Sequence, residues 1–441
     1  MQFIKDGLGY PHKQKQITIF QNRDRFMKQR FSQVRNPDDF PEERSSKPPV
    51  AEGITLCLAA LILVLFGLIV LYSTSSGIKG SSSYYFIRQI QWCAVGLAGF
   101  AAVLCIGYKK LSDLGILWMF LVMLMLVATL FFPPIKGARR WIQIPGIGSI
   151  QPSEYAKVAI ALFMAKLCAE NHRMIEKYSL KFFIFSALCC LPVIGLVMLG
   201  RDMGTSILLS LIVFAILFAS GVRLLVLLPL PLLGLPALFF FIRYCSPFRW
   251  VRLVTYLDPE KYQQGSGYQL WLSLLALGSG SWTGLGFAES RMKQKYLPEA
   301  HTDFILSIVG EEMGFICMCI VILLYICFLY LAIQISTRAR TRQGMFLAFG
   351  LSTFLALQTI INIGVISGAF PTKGMPAPFI SYGGSSLVTC LVATGLIVSI
   401  ALDAAYPDYQ ELIYEKARSI FRKVTAPFRK METSQQGSME K

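Results

Sequence analysis

Charge is what this sequence has least of. Only 15% of its 441 residues are Asp, Glu, Lys or Arg, against 54% hydrophobic, and the mean hydropathy is +0.55. Soluble domains carry roughly a quarter charged residues, so an ordinary soluble fold is excluded, and the apolar residues come in runs long enough to cross a bilayer. There is no P-loop and no GxGxxG, which removes the usual Gly-rich cradles for nucleotide phosphates. The eleven cysteines show no zinc-ligand pattern with a nearby His. Nearly all lie inside apolar runs, and Cys245 alone is expected outside, so no exported disulfide framework is indicated. No internal repeat is visible, which weighs against a secondary transporter. Met1 to Pro49 has neither an apolar core nor a small-residue cleavage site, so it does not read as a signal peptide.

What is present is a basic, apolar chain. Its formal charge is +17, placed mostly at the two ends. Such an excess could point to nucleic acid, but in a chain this apolar it reads as cytoplasmic retention of Lys and Arg, and no nucleic-acid partner is expected. About ten apolar spans fall between Ile54 and Leu402, among them Leu111–Phe131, Leu224–Ile242 and Phe304–Ile335. The expected fold is therefore an all-α polytopic membrane protein. It divides into a basic, mostly disordered cytoplasmic tail (1–52), a membrane domain (53–403) and a cytoplasmic C-terminal tail (404–441). An even span count puts both termini on one side. Lys109, Lys110, Arg173, Lys177, Lys181, Arg223, Arg338, Arg340 and Arg342 fall on that same side, which the positive-inside rule makes the cytoplasm. Three connections face the other way: 137–152, the long 243–303 loop between the seventh and eighth spans, and 367–385. The last, SGAFPTKGMPAPFISYGGS, has too many prolines and glycines for a spanning helix and must line a cavity or pack on protein.

The stretch from Tyr296 to Phe315, YLPEAHTDFILSIVGEEMGF, carries carboxylates into an apolar run. Asp303, Ser307 and Glu311 recur at a spacing of four, one face of a helix, and an acidic stripe in lipid is costly unless it faces a wet cavity. Capping of a helix start by His301, Thr302 and Asp303 competes for Asp303, but leaves Glu311 and Glu312 unexplained. Glu154 and Lys157 share a helix face, and Gln358 and Asn362 share another suited to interhelical hydrogen bonds. Arg201-Asp202 is either a local ion pair or part of the same polar region. Arg139, Arg140, Lys157, Arg291, Lys293, Lys295 and Lys373 are cations on the outward side, against the retention rule, and an anionic, phosphate-bearing lipid would explain them. Group transfer from a diphosphate lipid needs one base and several anion clamps; Asp303 is the candidate base.

These motifs, with RRWI at 139–142, QPSEYAK, RDMGTS and NIGVISGAFPTKGMPAPFISYGGSS, together resemble the SEDS family (shape, elongation, division and sporulation), and its division branch more than its elongation branch. The resemblance spans about Ile54 to Leu402. It implies a ten-span peptidoglycan glycosyltransferase polymerising lipid II on the outer face of the bacterial cytoplasmic membrane, at the division septum. A class B penicillin-binding protein and other divisome membrane proteins are its implied partners. The family's essential aspartate maps onto Asp303. The resemblance further implies substrate contacts from Arg140, Glu154, Lys157, Asp202, His301, Thr302, Lys373, Ser381, Gly383 and Gly384. Ser149 stands where many members carry an Arg, and Arg201 adds a charge of its own. No cofactor is implied; a divalent cation, Mg or Mn, is compatible with the chemistry, and its ligands are unknown from sequence. A lipid-linked precursor flippase, an elongation-type polymerase and a divisome scaffold without chemistry are the alternatives.

Overall fold

The computed structural model describes residues 48–76, 82–135, 137–145, 148–245, 247–294, 296–407 and 409–410. The basic N-terminal tail up to residue 47, Lys295 and most of the C-terminal tail lie outside the described residues. Fifteen helices and one hairpin follow in order among them. They are α1 (Val50–Ser76), α2 (Ser82–Ile106), α3 (Tyr108–Asp113), α4 (Gly115–Thr129), the antiparallel pair β1 (Ile142–Ile144) and β2 (Gly148–Ile150), α5 (Pro152–Glu170), α6 (His172–Lys177), α7 (Ser179–Leu199), α8 (Met203–Ala219), α9 (Leu224–Leu227), α10 (Pro229–Cys245), α11 (Pro247–Leu257), α12 (Tyr268–Ser279), α13 (Ile305–Thr337), α14 (Arg342–Ile366) and α15 (Gly384–Ala405). The segment expected as a tail to residue 52 gives up its last three residues to α1, where Glu52 in the first turn pairs with Arg338.

Among the described residues seven helical stretches are long and apolar enough to cross a membrane: α1, α2, α7, the run Leu224–Tyr244 formed by α9 and α10, α13, α14 and α15. α4 and α8 are shorter apolar helices, and α5, 19 residues long, carries Glu154, Lys157, Lys166 and Glu170. Two expected spans are divided into separate helices. Leu111–Phe131 divides at Leu114 into α3 and α4, and Leu224–Ile242 divides at Leu228 because Pro229 supplies no N–H to continue the ladder.

The core lies around α15, whose spanning window is 89% buried, while that of Leu224–Tyr244 is only 6% buried and stands at the periphery. α15 packs on α2, α1 and α14; α14 packs in turn on α13, α5 and α8. Glycines permit the closest approaches, as where Gly395 meets the Phe100 backbone.

α13 is broken inside by Gly314, at φ 75° and ψ −175°. Segment 281–286 inserts at the break. Leu285 and Gly286 donate to the Glu311 and Glu312 carbonyls, and Phe315 and Ile316 donate to Ser281 and Trp282. Four backbone groups freed by the break thereby find partners, as an apolar surrounding demands. A Cβ on Gly314 would stand 2.4 Å from the Gly284 nitrogen, in a backbone region that is essentially Gly-only. Gly314→Ala should destabilise the protein by about 1–3 kcal/mol from backbone strain alone, read as a lowered thermal midpoint in detergent. A melt unchanged from wild type would show that the break does not need glycine.

Candidate functional site

The polar centre is organised by one face of α14. Gln358 donates through Nε2 to the Pro376 carbonyl (2.9 Å) and to Ser386 Oγ (3.2 Å). Its Oε1 accepts from Lys157 Nζ (2.9 Å). One turn on, Asn362 Nδ2 donates to the carbonyls of Asp303 (2.9 Å) and Met375 (2.7 Å). Gln358 therefore forms the interhelical bonds that the spacing predicts, whereas Asn362 bonds to two non-helical segments, and together they tie α5, the chain before α13, the 367–383 connection and α15 to one another.

Lys157 Nζ also donates to Glu154 Oε1 at 2.7 Å, and its ammonium lies 5.2 Å from the Phe354 ring centre. Both charged residues are buried, at 2% and 4% exposure. This changes the role read from sequence, in which Lys157 clamps an anion directly. Its ammonium is already engaged by Glu154 and Gln358, so it acts from behind the surface.

Of the outward cations, Arg140 and Lys373 are half-buried and Arg139 is exposed. Arg140, Ser153, Gly200 and Asp202 line a cleft with Thr129 and Leu196. Asp202 caps α8, accepting from the Thr205 N–H (3.3 Å) and hydroxyl (2.9 Å). Its ion-pair partner is Lys373 (3.6 Å), not Arg201, which points elsewhere and donates to the Gly137 carbonyl. The Lys373 stem crosses Gly204, where any Cβ would collide with it. Although 28% of its side chain is exposed, the ammonium nitrogen itself is shut off from solvent. Among the described residues Lys373 Nζ and Arg140 Nε find no hydrogen-bond acceptor. Burial, against the pull of Asp202 and with the repulsion of Lys157 and Arg140, lowers the Lys373 ammonium to about 8. Burial alone would raise the Asp202 carboxyl; Lys373, Arg140 and Thr205 outweigh it and hold it below the usual range.

Asp303 is not on a helix. It lies in a turn ahead of α13, whose first residue is Ile305, so the acidic stripe of the sequence does not exist as one helical face. Its carboxylate lies against Gly374, next to Lys373 in the chain: a Cβ on Gly374 would be 2.3 Å from Oδ2. Ser307 bonds to Ser273 of α12 (2.7 Å). Glu311 accepts from the Ser290 hydroxyl and the Arg291 N–H (3.0 Å). Glu312 accepts from Lys293 (2.8 Å) and from Ser73. These two acids anchor the 281–294 segment, and Lys293, read as a cation awaiting an anionic ligand, is already neutralised there.

The remaining expected contacts divide. Thr302 donates to Glu299. Ser381 is buried; its hydroxyl accepts from the Ala377 N–H (2.8 Å) and so holds a turn. Gly384 packs on the Trp92 indole, which fills the space a Cβ would need. Gly383 donates to Gln89 Oε1 (3.3 Å), and Gln89 Nε2 donates to the Ser381 carbonyl (3.1 Å). Ser381 and Gly384 thus shape the connection rather than offer groups to a ligand. His301 packs on Tyr85 and Tyr382. Gln89, Tyr85 and Tyr382 were not singled out from sequence; the only signal was their polar tips inside or beside apolar runs. Among the described residues no group of three or more His, Cys, Asp and Glu could hold a metal ion. Asp202 is engaged by Thr205 and Lys373.

Comparison with known proteins agrees with this architecture. The family model described as "Cell cycle protein" (FTSW_RODA_SPOVE) matches residues 54–406. The probable peptidoglycan glycosyltransferase FtsW of Trichlorobacter lovleyi is 34% identical over 355 residues, 79% of this chain and 92% of the relative. A chain solved in a peptidoglycan synthase complex, studied for its coordination of polymerization and crosslinking, superposes with a TM-score of 0.68 at 25% identity, covering 80% of this chain and 98% of that one. The rod shape determining protein RodA of Thermus thermophilus shares the fold, with a TM-score of 0.59 at 24% identity over 82% of this chain and 99% of its own.

Proposed function

The chain belongs to the FtsW/RodA/SpoVE family, and from that premise we propose that it is a peptidoglycan glycosyltransferase that polymerises lipid II during septal wall synthesis. The observation that carries this reading is a pair of buried cationic atoms that find no hydrogen-bond acceptor among the described residues, Lys373 Nζ, ion-paired with Asp202 only at 3.6 Å, and Arg140 Nε, beside a carboxylate that reaches Gly374. A buried donor left unpaired is expensive, and a diphosphate supplies acceptors of the right charge.

The reaction is an inverting transfer. The acceptor sugar hydroxyl gives its proton to the Asp303 carboxylate, its oxygen bonds to the donor anomeric carbon, and the bond from that carbon to the phosphate oxygen breaks. Undecaprenyl diphosphate leaves with the electron pair, its charge met by Arg140 and Lys373. Lys157, held by Glu154, adds positive potential from behind. No step is routed through a metal.

The seven long stretches, with α4, α5 and α8, give the ten spans. Both termini are then cytoplasmic and the 243–303 connection is outside, with α11 and α12 within it. In a variant lacking native cysteines, an impermeant thiol reagent applied outside should label Ser266→Cys, an exposed position; labelling only after permeabilisation would reverse the orientation. The likeness to a chain in a peptidoglycan synthase complex supports a class B penicillin-binding protein as partner.

The function is tested by glycan polymer formed from lipid II by the purified protein with its partner. No polymer under conditions where a related polymerase works would overturn it, and would leave the flippase reading. The pH profile gives a second check. Lys373 is charged below about 8, so polymerisation should fall as pH rises through about 8, well below the range of an ordinary lysine. Lys373→Arg stays charged and should move that limb upward. An alkaline limb in the same place for both proteins would remove Lys373 from diphosphate binding.

A further inference from the structure

Asp303 has two neighbourhoods of opposite chemistry. Through Gly374 it adjoins Lys373 and the cation cluster. Two residues before it in the chain, His301 packs among aromatic rings drawn from three parts of the chain. Tyr85 of α2 lies 4.5 Å from the His301 ring centre and 5.1 Å from that of Tyr382, edge to face, and His301 and Tyr382 are 5.7 Å apart. The cluster is built, not incidental. Gln89, one turn after Tyr85, grips the backbone on both sides of Tyr382, and the Tyr382 N–H donates to the His301 carbonyl (3.0 Å). The platform continues outward through Tyr84, which is 54% exposed and lies under the Arg88 guanidinium at 5.7 Å.

Packing alone would account for three rings in contact, at about 0.5–1.5 kcal/mol per aromatic pair. It does not account for their placement. These rings are only half-buried in a bundle with ample apolar side chains to spare, and each carries a polar tip. Half-exposed rings with hydroxyl, imidazole and guanidinium groups at their edges suit a saccharide. The C–H face of the sugar lies on the rings while its hydroxyls and acetamido group meet the polar tips.

The geometry points to this aromatic cluster, Tyr84, Tyr85, His301 and Tyr382, as the subsite for the acceptor saccharide, with the donor diphosphate on the Arg140–Lys373 flank. The assignment rests on the glycosyl-transfer reading above. In an inverting transfer the attacking oxygen and the departing phosphate occupy opposite sides of the anomeric carbon. A base flanked by cations through one neighbour and by aromatic rings through another therefore divides the site: the cations take the leaving group, and the rings take the sugar whose hydroxyl the base deprotonates.

The test uses full-length protein with its partner, and chitotetraose, a β-1,4-linked N-acetylglucosamine tetramer, as probe. Saturation-transfer NMR reads binding of the probe without any reaction, and lipid II polymerisation is followed in parallel. Tyr85→Leu, Tyr382→Leu and the surface change Tyr84→Ala should each weaken the saturation-transfer signal. They should raise the half-saturating lipid II concentration about tenfold with maximal rate within about threefold, one factor of ten being about 1.4 kcal/mol. Tyr85→Phe and Tyr382→Phe keep the ring and lose only the hydroxyl, and should fall between wild type and the Leu variants in both. Leu variants that match wild type in probe binding and half-saturation overturn the subsite. So does a fall in maximal rate and thermal midpoint together with unchanged half-saturation, which would mark a packing role. Tyr84→Ala keeps the test open if a Leu variant fails to fold. Should wild type bind the probe in a ring-dependent way yet make no polymer, the subsite stands and glycosyl transfer falls.

Discussion

Purified Asp303→Asn protein, assayed with its partner, should polymerise lipid II roughly a hundredfold to ten-thousandfold more slowly than wild type. The substitution keeps the size and outline of the side chain and removes only the negative charge and the ability to take a proton. Folding should be spared. The Asp303 carbonyl, which accepts from Asn362, is left in place by the substitution. Asp303→Glu should also be slow, because a misplacement of about 1 Å can cost about a hundredfold. A capping role would give the opposite result, since Asn caps a helix about as well as Asp. The structure already speaks against that role: the N-cap of α13 is Phe304, with no side-chain capping bond. A folded Asp303→Asn protein working at near wild-type rate would end the assignment of the base.

Lys157→Met should lower stability by about 3–5 kcal/mol, the usual cost of removing one partner of a buried ion pair. Methionine nearly fills the lysine volume, so the loss is electrical: Glu154 is left 4% exposed with one carboxylate oxygen that already has no donor. Gln358 loses a donor to its Oε1 as well. The double change Glu154→Gln with Lys157→Met removes the stranded charge and should recover much of the loss, giving a coupling of about 1–3 kcal/mol in a double-mutant cycle. Chemical or thermal unfolding of the four proteins in detergent decides it. Additive losses would mean that the pair is not a unit. If Lys157 touched the diphosphate directly, the folded double variant would also lose polymerisation as completely as Asp303→Asn does. The geometry, with Lys157 behind Gln358, predicts a smaller loss.

How much of this could be read beforehand follows from the range of each interaction. Apolar runs are local, so α1, α2, α7, α13, α14 and α15 were legible within a few residues of their ends. So were the pairs Glu154 with Lys157 and Gln358 with Asn362, three and four residues apart on a helix. The hairpin β1–β2 was not, because three-residue strands carry too little pattern.

Charge was misread where the partner came from another part of the chain. Nothing local tells that Lys293 closes onto Glu312 and Ser73, the latter 220 residues away, or that Asp202 takes Lys373 and not the adjacent Arg201. The break at Gly314 hides inside an apolar run that reads as one straight helix. The sequence by itself determined that the chain is a bundle of membrane-length helices, which residues are polar inside it, and the family it belongs to. Only the tertiary structure decided which of those polar residues stand open to a ligand and which are spent on one another. Helix periodicity reports which way a side chain faces, whereas a buried polar group is satisfied by whatever the fold brings within about 3 Å, here Lys157 by Gln358 across 201 residues and Gln89 by the Ser381 carbonyl across 292.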